Sequence, residues 1–325
     1  MRWKRAQTEP QVSLADVINN RNGQTFPRSV EEITDRTQLT LHPRLNLTPG
    51  MSIFAIGSCF ARNIEEALAN CGFTIPTLRF AVPQSEWPGP RSRGILNRYT
   101  TPSILQLIRW VVDGMDAPPR HSRTTETYWL ETDDGIGVDM DLCGLIPVTK
   151  RRFLERRHEI FEVCQQLATA DACVITLGQT ESFKLRSRGL HFGAAPVNLD
   201  LRSYWSDTFR IVADHRSIVH DMTDSINLIR RVNPSCRVIL SVSPVPATRY
   251  WYPESGLRAY WISKFALWSA AQEISATLDE VHYFPSFEAV HLSDEVWEAD
   301  RVHVRDATVQ RIVSAFIDAN VALNN

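Results

Sequence analysis

The sequence predicts an α/β protein, in which a mostly parallel central sheet is covered by helices on both faces. Short, continuous apolar runs, which are typical of strands buried on both faces, alternate along the chain with amphipathic helical stretches. Such alternation joins successive strands by crossover helices and gives a parallel sheet. The chain has 325 residues, of which 43% are hydrophobic, so a sizeable core is available. We therefore expect a three-layer αβα sandwich.

Four apolar runs predict the strands of this sheet, because each is short and ends at a glycine, a proline or a polar residue. These runs are 51–56, 172–177, 237–242 and 281–284. A further strand is expected at 74–80. Hairpin insertions are expected at 125–141, where Asp133-Asp134-Gly135 forms the turn, and at 186–192 around Gly189.

Six stretches predict helices, because their apolar residues recur at a spacing of three and four and their polar residues share the opposite side. Gly72 lies just past the first of them and is a suitable helix stop. Asn233-Pro234 ends the fourth. The predicted helices are 60–70, 101–112, 149–169, 207–231, 257–278 and 304–320.

Composition limits the class of partner. The net charge of -2 gives no sign of the basic surface that nucleic-acid binding requires. No apolar run is long enough to span a membrane, and no apolar stretch follows the charged N-terminus as it does in a secretory signal. Six scattered cysteines suit a reducing compartment, and no His, Cys or carboxylate spacing suggests a metal or another cofactor. We expect a cytoplasmic protein, with residues 1–50 as an irregular lead-in packed on one catalytic domain at 51–325.

A functional site is expected where the sheet strands end. In open α/β sheets, ligands bind at the carboxyl ends of the strands. A serine in the turn after the first strand, Ser58, presents its hydroxyl there, and its own N–H at a helix N-terminus can face a developing oxyanion. The alternative is that Ser58 only caps the helix. The four segments that this rule selects are 57–59, 178–181, 243–246 and the residues after Phe284.

A second candidate pair precedes the last helix. Asp300 and His303 are separated by three positions, which are neighbours on a helical turn. An aspartate so placed can orient an imidazole and stabilise it when it is protonated, leaving the other ring nitrogen to take a proton from a serine. The alternative is a capping aspartate beside a surface histidine.

The segment Gly57-Ser58-Cys59-Phe60-Ala61 resembles the motif that gives the GSCFA family its name, a family related to the SGNH/GDSL hydrolases. Three further segments agree in order, and the resemblance runs from about residue 50 to 318. It implies an SGNH-like fold in which Ser58 is the nucleophile and His303 with Asp300 forms the last motif block. The further segments are NRYTTPSILQLIRW at 97–110, ITLGQTESF at 175–183 and DRVHV at 300–304.

The third motif block departs from the relatives. It is usually Gly-x-Asn-Asp, and here it is Gly178-Gln179-Thr180-Glu181. Thr180 stands where the resemblance places the oxyanion-binding asparagine, so either Thr180 substitutes or another donor such as Asn97 or Gln179 does. We expect Gly57 and Cys59 to line the same site and Glu181 to hold the surrounding loops by hydrogen bonds. No clear second-block glycine is found; Gly94 is a weak candidate.

Two neighbouring features leave alternatives open. The Cys59 thiol is either the nucleophile of a Cys–His pair or a buried side chain beneath the turn, which we favour. The cluster Arg249-Tyr250-Trp251-Tyr252 either stacks on a substrate ring or covers the core.

Three functions follow from these residues. The first is a serine esterase that removes an acyl group, such as acetyl, from a sugar or small metabolite through an acyl-enzyme. The second is an acyltransferase that passes the same acyl group to a saccharide or another alcohol. The third is a ligand-binding module that retains the fold without catalysis. The expected partner is a small-molecule or saccharide ester, with no nucleic acid and no membrane.

Overall fold

The computed structural model describes residues 45, 47–87, 89, 91–116, 127–132, 136–198, 201–247, 249–251, 255–291, 296–299 and 303–320. Its strands are β1 Ile53–Gly57, β2 Trp129–Glu131, β3 Gly137–Asp139, β4 Ala172–Leu177, β5 Glu181–Leu185, β6 Leu190–His191, β7 Thr208–Val212, β8 Arg237–Val242 and β9 Val281–Phe284. Its α-helices are α1 Cys59–Asn70, α2 Thr101–Asp116, α3 Lys150–Cys164, α4 Arg202–Trp205, α5 His215–Val232, α6 Gly256–Thr277, α7 Ser286–His291 and α8 Asp306–Asn320.

The central sheet is four-stranded in the order β1-β4-β8-β9, and all three strand pairs are parallel. Its strands occupy the four apolar runs that the sequence predicts as sheet strands. Because each carboxyl end lies at the same edge, the residues that follow β1, β4 and β8 meet there. Those residues are Ser58, Gly178 and Ser243.

Helices cover both faces of this sheet, as predicted. One face of β1, β4 and β8 packs in a cluster with apolar residues of α2, α3, α5 and α6. Alternate residues of β1 and β4 point into a second cluster with α1, α7 and α8. Successive residues of a strand point to opposite faces, so strands with helices on both sides need apolar residues throughout. The fold is therefore a three-layer αβα sandwich.

Two small antiparallel sheets project from this body. The pair β2–β3 corresponds to the hairpin predicted at 125–141, although residues 125–126 and 133–135 lie outside the described ones. The second sheet has the order β6-β5-β7, and its β5–β6 hairpin turns at Gly189, whose φ is +67°. This second sheet begins directly after the loop at the end of β4.

The prediction of a strand at 74–80 is wrong. Thr74 forms an isolated bridge with Ser52, and a short 3-10 helix, Pro76–Arg79, follows. Pro76 lacks a backbone N–H and fits the first turn of a helix, where no internal hydrogen bond is required of it.

The prediction that a helix begins at 207 is also wrong, because β7 occupies Thr208–Val212 and pairs with β5. The helix α5 begins at His215, where the side chain of Asp214 accepts a hydrogen bond from the Ser217 N–H as an N-cap. Tertiary strand pairing prevails over helical periodicity in this segment. The short helix α7 after β9 was not predicted from the sequence.

Most of the predicted lead-in at 1–50 lies outside the described residues. Leu45 and Leu47 are buried in the cluster with α1 and α8. Among the described helices, none combines the length and the apolar character that crossing a bilayer requires.

Leu240 tests the packing of the central sheet, since it is 0% exposed in the middle of β8. We expect Leu240→Ala to lower the free energy of unfolding by about 2–5 kcal/mol, because it deletes buried methyl and methylene groups from the core and leaves a cavity. Urea denaturation measures the change. Leu257→Ala is the matched control, because Leu257 is 69% exposed and we expect a change within about 0.5 kcal/mol. Equal effects of the two substitutions would contradict the described core.

Candidate active site

A cavity of about 800 Å³ opens at the carboxyl edge of the central sheet. Its lining includes Ser58, Gly178 and Ser243, which directly follow β1, β4 and β8. His303, which lies shortly before α8, lines the same cavity. A serine and a histidine that are far apart in the sequence thus line the same cavity.

The turn that carries Ser58 depends on Gly57. Its φ is +142°, and a Cβ atom added there would lie 2.2 Å from Thr176 Oγ1 and 2.3 Å from the Thr176 carbonyl oxygen. Gly57 is paired with Thr176 in the β1–β4 register. Only a residue without a side chain permits this close approach of the two strands. The expectation that Gly57 itself lines the site is not met, since it is absent from the residues that line the cavity.

Ser58 caps helix α1. Its Oγ accepts a hydrogen bond from the Phe60 N–H at 3.3 Å, as one of the two sequence interpretations expects. Ser58 N–H donates to Thr176 Oγ1 at 3.1 Å. The expectation that this N–H faces an oxyanion is therefore wrong, because Thr176 already accepts it. Cys59 begins the helix, so its own N–H belongs to the helix N-terminal amides that have no intrahelical partner.

The segment 97–100 forms a second wall and is held by backbone contacts. Arg98 N–H donates to the Gly57 carbonyl at 2.7 Å, and the N–H groups of Gly178 and Gln179 both donate to the Tyr99 carbonyl. A Cβ atom on Gly178 would lie 2.8 Å from the Tyr99 carbonyl oxygen and 3.4 Å from Ser58 Cβ. Gly178 therefore allows this wall to close against Ser58.

Asn97 is buried, yet it lines the cavity. Its Nδ2 donates to the Tyr99 hydroxyl at 3.2 Å, whereas its Oδ1 has no hydrogen-bond partner among the described residues. A half-turn about the Cβ–Cγ bond would let Oδ1 accept a hydrogen bond from the Tyr99 hydroxyl and would place Nδ2 where Oδ1 now lies. Asn97 thus carries one buried polar atom without a partner among the described residues in the wall of the cavity.

Thr180 does not take part in the cavity lining. It is buried, and its N–H donates to Ser263 Oγ at 3.0 Å. Gln179 does line the cavity, but its Nε2 donates to the Glu181 carbonyl at 3.2 Å. Gly94 is also absent from the lining. Of the side chains predicted to bind the oxyanion, Asn97 is the one with a buried polar atom that has no partner among the described residues.

Glu181 holds the aromatic side of the cavity, in agreement with its expected role. Its carboxylate accepts the backbone N–H of Trp251 at 3.2 Å and pairs with Arg210 at 2.7 Å. The ring of Trp251 meets Phe183 edge to face, and both rings line the cavity. Arg249 lies over the Trp251 ring. Of the cluster considered above, Trp251 faces the cavity and Tyr250 packs on the core, while Tyr252 lies outside the described residues.

Cys59 lines the cavity, as expected of a residue of this site, and it is partly exposed. The expectation that its side chain is buried beneath the turn is therefore wrong. Burial nevertheless raises the pKa of this thiol. A raised pKa keeps the sulfur protonated near neutral pH and lowers its reactivity as a nucleophile. This shift does not support Cys59 as an activated thiolate nucleophile.

His303 is held by a short antiparallel contact before α8. The His303 carbonyl accepts the Glu298 N–H at 2.8 Å, and Val304 forms a bridge with Trp297. Glu298 and Asp306 also line the cavity. Asp300 lies outside the described residues, so its assignment as the partner of His303 remains a sequence prediction.

Sequence reasoning missed Lys264. It is fully buried in α6, and its ammonium group donates to the carbonyls of Gly178, Ser243 and Val245, all of which line the cavity. Nothing in its local sequence marks it, because an isolated lysine in a helix is ordinarily solvent-exposed.

Fold and site together define a three-layer α/β protein with a serine on the turn after the first sheet strand and a histidine in the same cavity. The chain belongs to the GSCFA family, whose model matches residues 52–316. The resemblance seen in the sequence is thereby confirmed over most of the described chain. No curated protein matches this sequence.

Several solved structures are similar over most of their length. A carbohydrate esterase family 3 protein from Talaromyces cellulolyticus shares 13% identity at a TM-score of 0.32, covering 83% of this chain and 94% of that chain. A family 3 carbohydrate esterase from Clostridium thermocellum shares 10% identity at a TM-score of 0.32, covering 83% of this chain and 94% of that chain. A family 2 carbohydrate esterase with a carbohydrate binding domain from Corynascus thermopiles (Myceliophthora fergusii) shares 12% identity at a TM-score of 0.36, covering 92% of this chain and 68% of that chain. At these TM-scores and identities, none of them assigns an activity to this chain.

Gly57→Ala tests the turn that carries Ser58. We expect it to lower the free energy of unfolding by about 3 kcal/mol or more, because the new Cβ meets backbone as well as side-chain atoms of Thr176 and takes a positive φ. Urea denaturation measures the loss, and an added Thr176→Ala does not restore it.

Gly189→Ala is the matched control for Gly57→Ala. Gly189 also has a positive φ, but an added Cβ there meets nothing within 4 Å. We expect a loss of about 1 kcal/mol, which reports the conformational cost alone. Equal losses at the two glycines would show that the contact with Thr176 is not restrictive.

Proposed function

We propose that this protein is a serine hydrolase that cleaves an O-acyl ester of a sugar or a small metabolite, with acetyl as the expected acyl group. The observation that carries the proposal is the shared cavity of Ser58 and His303 at the carboxyl edge of the sheet. Membership of the GSCFA family supports it, because the Ser58 and His303 motifs are those by which the sequence resembles the SGNH/GDSL hydrolases.

The reaction proceeds through an acyl-enzyme. Ser58 Oγ attacks the ester carbonyl carbon as His303 takes the hydroxyl proton, and the carbonyl oxygen becomes an oxyanion. The C–O bond to the alcohol then breaks, and His303 returns the proton to the departing alcohol oxygen. Water attacks the acyl-serine and gives a proton to His303. The bond between the acyl carbon and Ser58 Oγ then breaks, and His303 returns the proton to Oγ as the carboxylic acid leaves. Asp300 orients the imidazole and stabilises its charged form.

Two donors are suited to the oxyanion. The Cys59 N–H lies at the N-terminus of α1, where backbone amides are unpaired and the helix dipole favours negative charge. The Asn97 amide offers its Nδ2 after the half-turn described above. This assignment replaces Thr180, whose position outside the lining does not support a role in oxyanion binding.

The size and walls of the cavity support a substrate larger than its acyl group. About 800 Å³ is far more than an acetyl group fills and lies in the range of pockets that enclose drug-sized ligands. Trp251 and Phe183 supply aromatic surface. The apolar face of an aromatic ring can pack against the C–H face of a sugar while the sugar hydroxyls stay in contact with water.

The same acyl-enzyme can transfer its acyl group to an alcohol instead of water. Product analysis with and without an added saccharide acceptor separates the two reactions, because transfer yields a new ester and hydrolysis yields free acid. A protein that binds a saccharide ester without Ser58-dependent turnover would instead be a binding module.

Ser58→Ala tests the nucleophile. We expect turnover of an aryl acetate to fall on the order of 10³-fold or more, because the group that forms the acyl-enzyme is absent. The substitution also removes a helix cap, at a cost of about 1 kcal/mol in stability. Initial rates and urea denaturation measure the two effects.

Two variants control the Ser58→Ala experiment. Thr149→Ala removes the cap of α3, where Thr149 Oγ1 accepts the Arg152 N–H, so the same loss of stability with full turnover is expected. Cys59→Ala should retain most of the turnover. If Cys59→Ala loses activity while Ser58→Ala keeps it, the thiol is the nucleophile and the proposal is wrong.

Trp251→Ala tests the substrate class. We expect KM for an acetylated saccharide to rise about tenfold, because a stacking contact is lost, while turnover of ethyl acetate stays within about twofold. Trp205→Ala is the control, since Trp205 is 58% exposed and does not line the cavity. Equal losses for both substrates would indicate that Trp251 supports the fold instead of binding a sugar.

A further inference from the structure

One face of helix α6 is fastened to the two loops that form the base of the cavity. Tyr260, Ser263 and Lys264 lie on the same side of the helix, at spacings of three and four residues. Tyr260 donates its hydroxyl to the Pro244 carbonyl, and Ser263 Oγ accepts the Thr180 N–H. Lys264 contacts both loops at once. The face defined by these three residues thus connects the loop after β4 with the loop after β8.

Lys264 makes the strongest of these contacts. Its Nζ donates to the Gly178 carbonyl at 2.6 Å, to the Ser243 carbonyl at 2.6 Å and to the Val245 carbonyl at 2.9 Å. An ammonium group has three donors, and three carbonyls accept them. No carboxylate in the described part of the chain forms an ion pair with Lys264. Among the described residues, the charge is stabilised by the three carbonyl dipoles and by the Tyr260 ring, whose centroid lies 5.7 Å from Nζ.

The backbone that Lys264 holds lies beside Ser58. A Cβ on Gly178 would lie 3.4 Å from Ser58 Cβ, so Gly178 leaves no room for a larger side chain next to the residue that carries the proposed nucleophile. Ser243 N–H donates to the Leu177 carbonyl, which ties the second loop to the end of β4. A shift of the Gly178 carbonyl would therefore move both the loop after β4, which lies beside Ser58, and the loop after β8.

We propose that Lys264 in its ammonium form is a positioning residue for the Ser58 reaction, holding the loops after β4 and β8 in the arrangement that ester cleavage requires. This role rests on the proposed function. Deprotonation leaves two N–H donors for three carbonyls, so one loop contact is lost in the neutral form. Misplacement of reacting groups by about 1 Å can cost on the order of 100-fold in rate.

The titration of Lys264 makes this role measurable. Burial lowers the pKa of Lys264 to about 7 from its ordinary 10.5, and only the ionised form of the nearby Cys59 side chain would oppose this shift. The other groups that face it are Tyr260 on its own helix and His291 of α7, whose pKa is lowered chiefly by burial. Turnover that needs the ammonium form falls as pH rises through 7.

Stability is expected to change with pH in the opposite direction. Because the folded pKa lies below the unfolded one, the unfolded chain binds more protons between pH 7 and about 10, and stability rises with pH there. The contribution of Lys264 to stability is lost as pH falls through 7. A residue that served the fold alone would not lower turnover over a range in which it increases stability.

The test compares wild type with Lys264→Met, which keeps the length of the side chain and removes its donors. Turnover of an aryl acetate is measured from pH 6 to 9, with Ser58→Ala as the blank for spontaneous hydrolysis. We expect kcat of Lys264→Met to be on the order of 100-fold lower at pH 6, KM to change less, and the decline between pH 7 and 9 to disappear. Lys150→Met, on the exposed start of α3, should match wild type.

Each outcome is decisive. If Ser58-dependent turnover of Lys264→Met stays within about threefold of wild type and keeps the same pH profile, the role of Lys264 is overturned and the proposed hydrolase is left intact. If Lys264→Met does not fold, the stability and the turnover of wild type, each measured against pH, decide the question. Rising stability with falling turnover supports the role, and constant turnover from pH 7 to 9 overturns it. Absence of any Ser58-dependent turnover overturns both proposals.

Discussion

The close approach of β1 and β4 at Gly57 and Thr176 is the constraint on which the site depends. The two residues are paired in register, and the space between them excludes even a methyl group. The positive φ of Gly57 turns the chain from strand to helix within one residue. Ser58 is then fixed from both sides, because Thr176 accepts its N–H and its Oγ caps α1.

The surrounding loops are fixed by buried polar contacts instead of regular structure. Gly178 and Gln179 bind the Tyr99 carbonyl, Arg98 binds the Gly57 carbonyl, and Lys264 binds three carbonyls from two loops. A buried, unpaired carbonyl is costly, so each of these contacts restricts its loop to one arrangement. Glu181 restricts the segment that carries Trp251 in the same way, because its carboxylate accepts the Trp251 backbone N–H.

The central sheet was predictable because its signal is local. A short apolar run bounded by glycine or proline specifies a buried strand, and all four runs became strands. Local signals failed where a long-range contact decided the outcome, as at 207–213, where pairing with β5 replaced the expected start of a helix. At 74–80 the apolar pattern was outweighed by Pro76, which begins a short helix.

The candidate site was predictable in part for the same reason. The strand-end rule and the motif resemblance located Ser58 and His303, which line one cavity. The position of Asn97 in the wall, the exclusion of Thr180 and the three carbonyl contacts of Lys264 follow from how distant segments meet, which residue spacing does not encode. Glu181 was correctly expected to support the loops, but its partner Trp251 lies 70 positions away.

The most direct measurement of the central claim is the covalent state of the protein during turnover. The enzyme is mixed with an aryl acetate, quenched in acid within the first turnovers, digested and examined by mass spectrometry. We expect one acetyl group on the peptide that contains Ser58, attached to Ser58 and absent from the Ser58→Ala protein. An acetyl group on Cys59, or turnover with no acylated Ser58, would contradict the account.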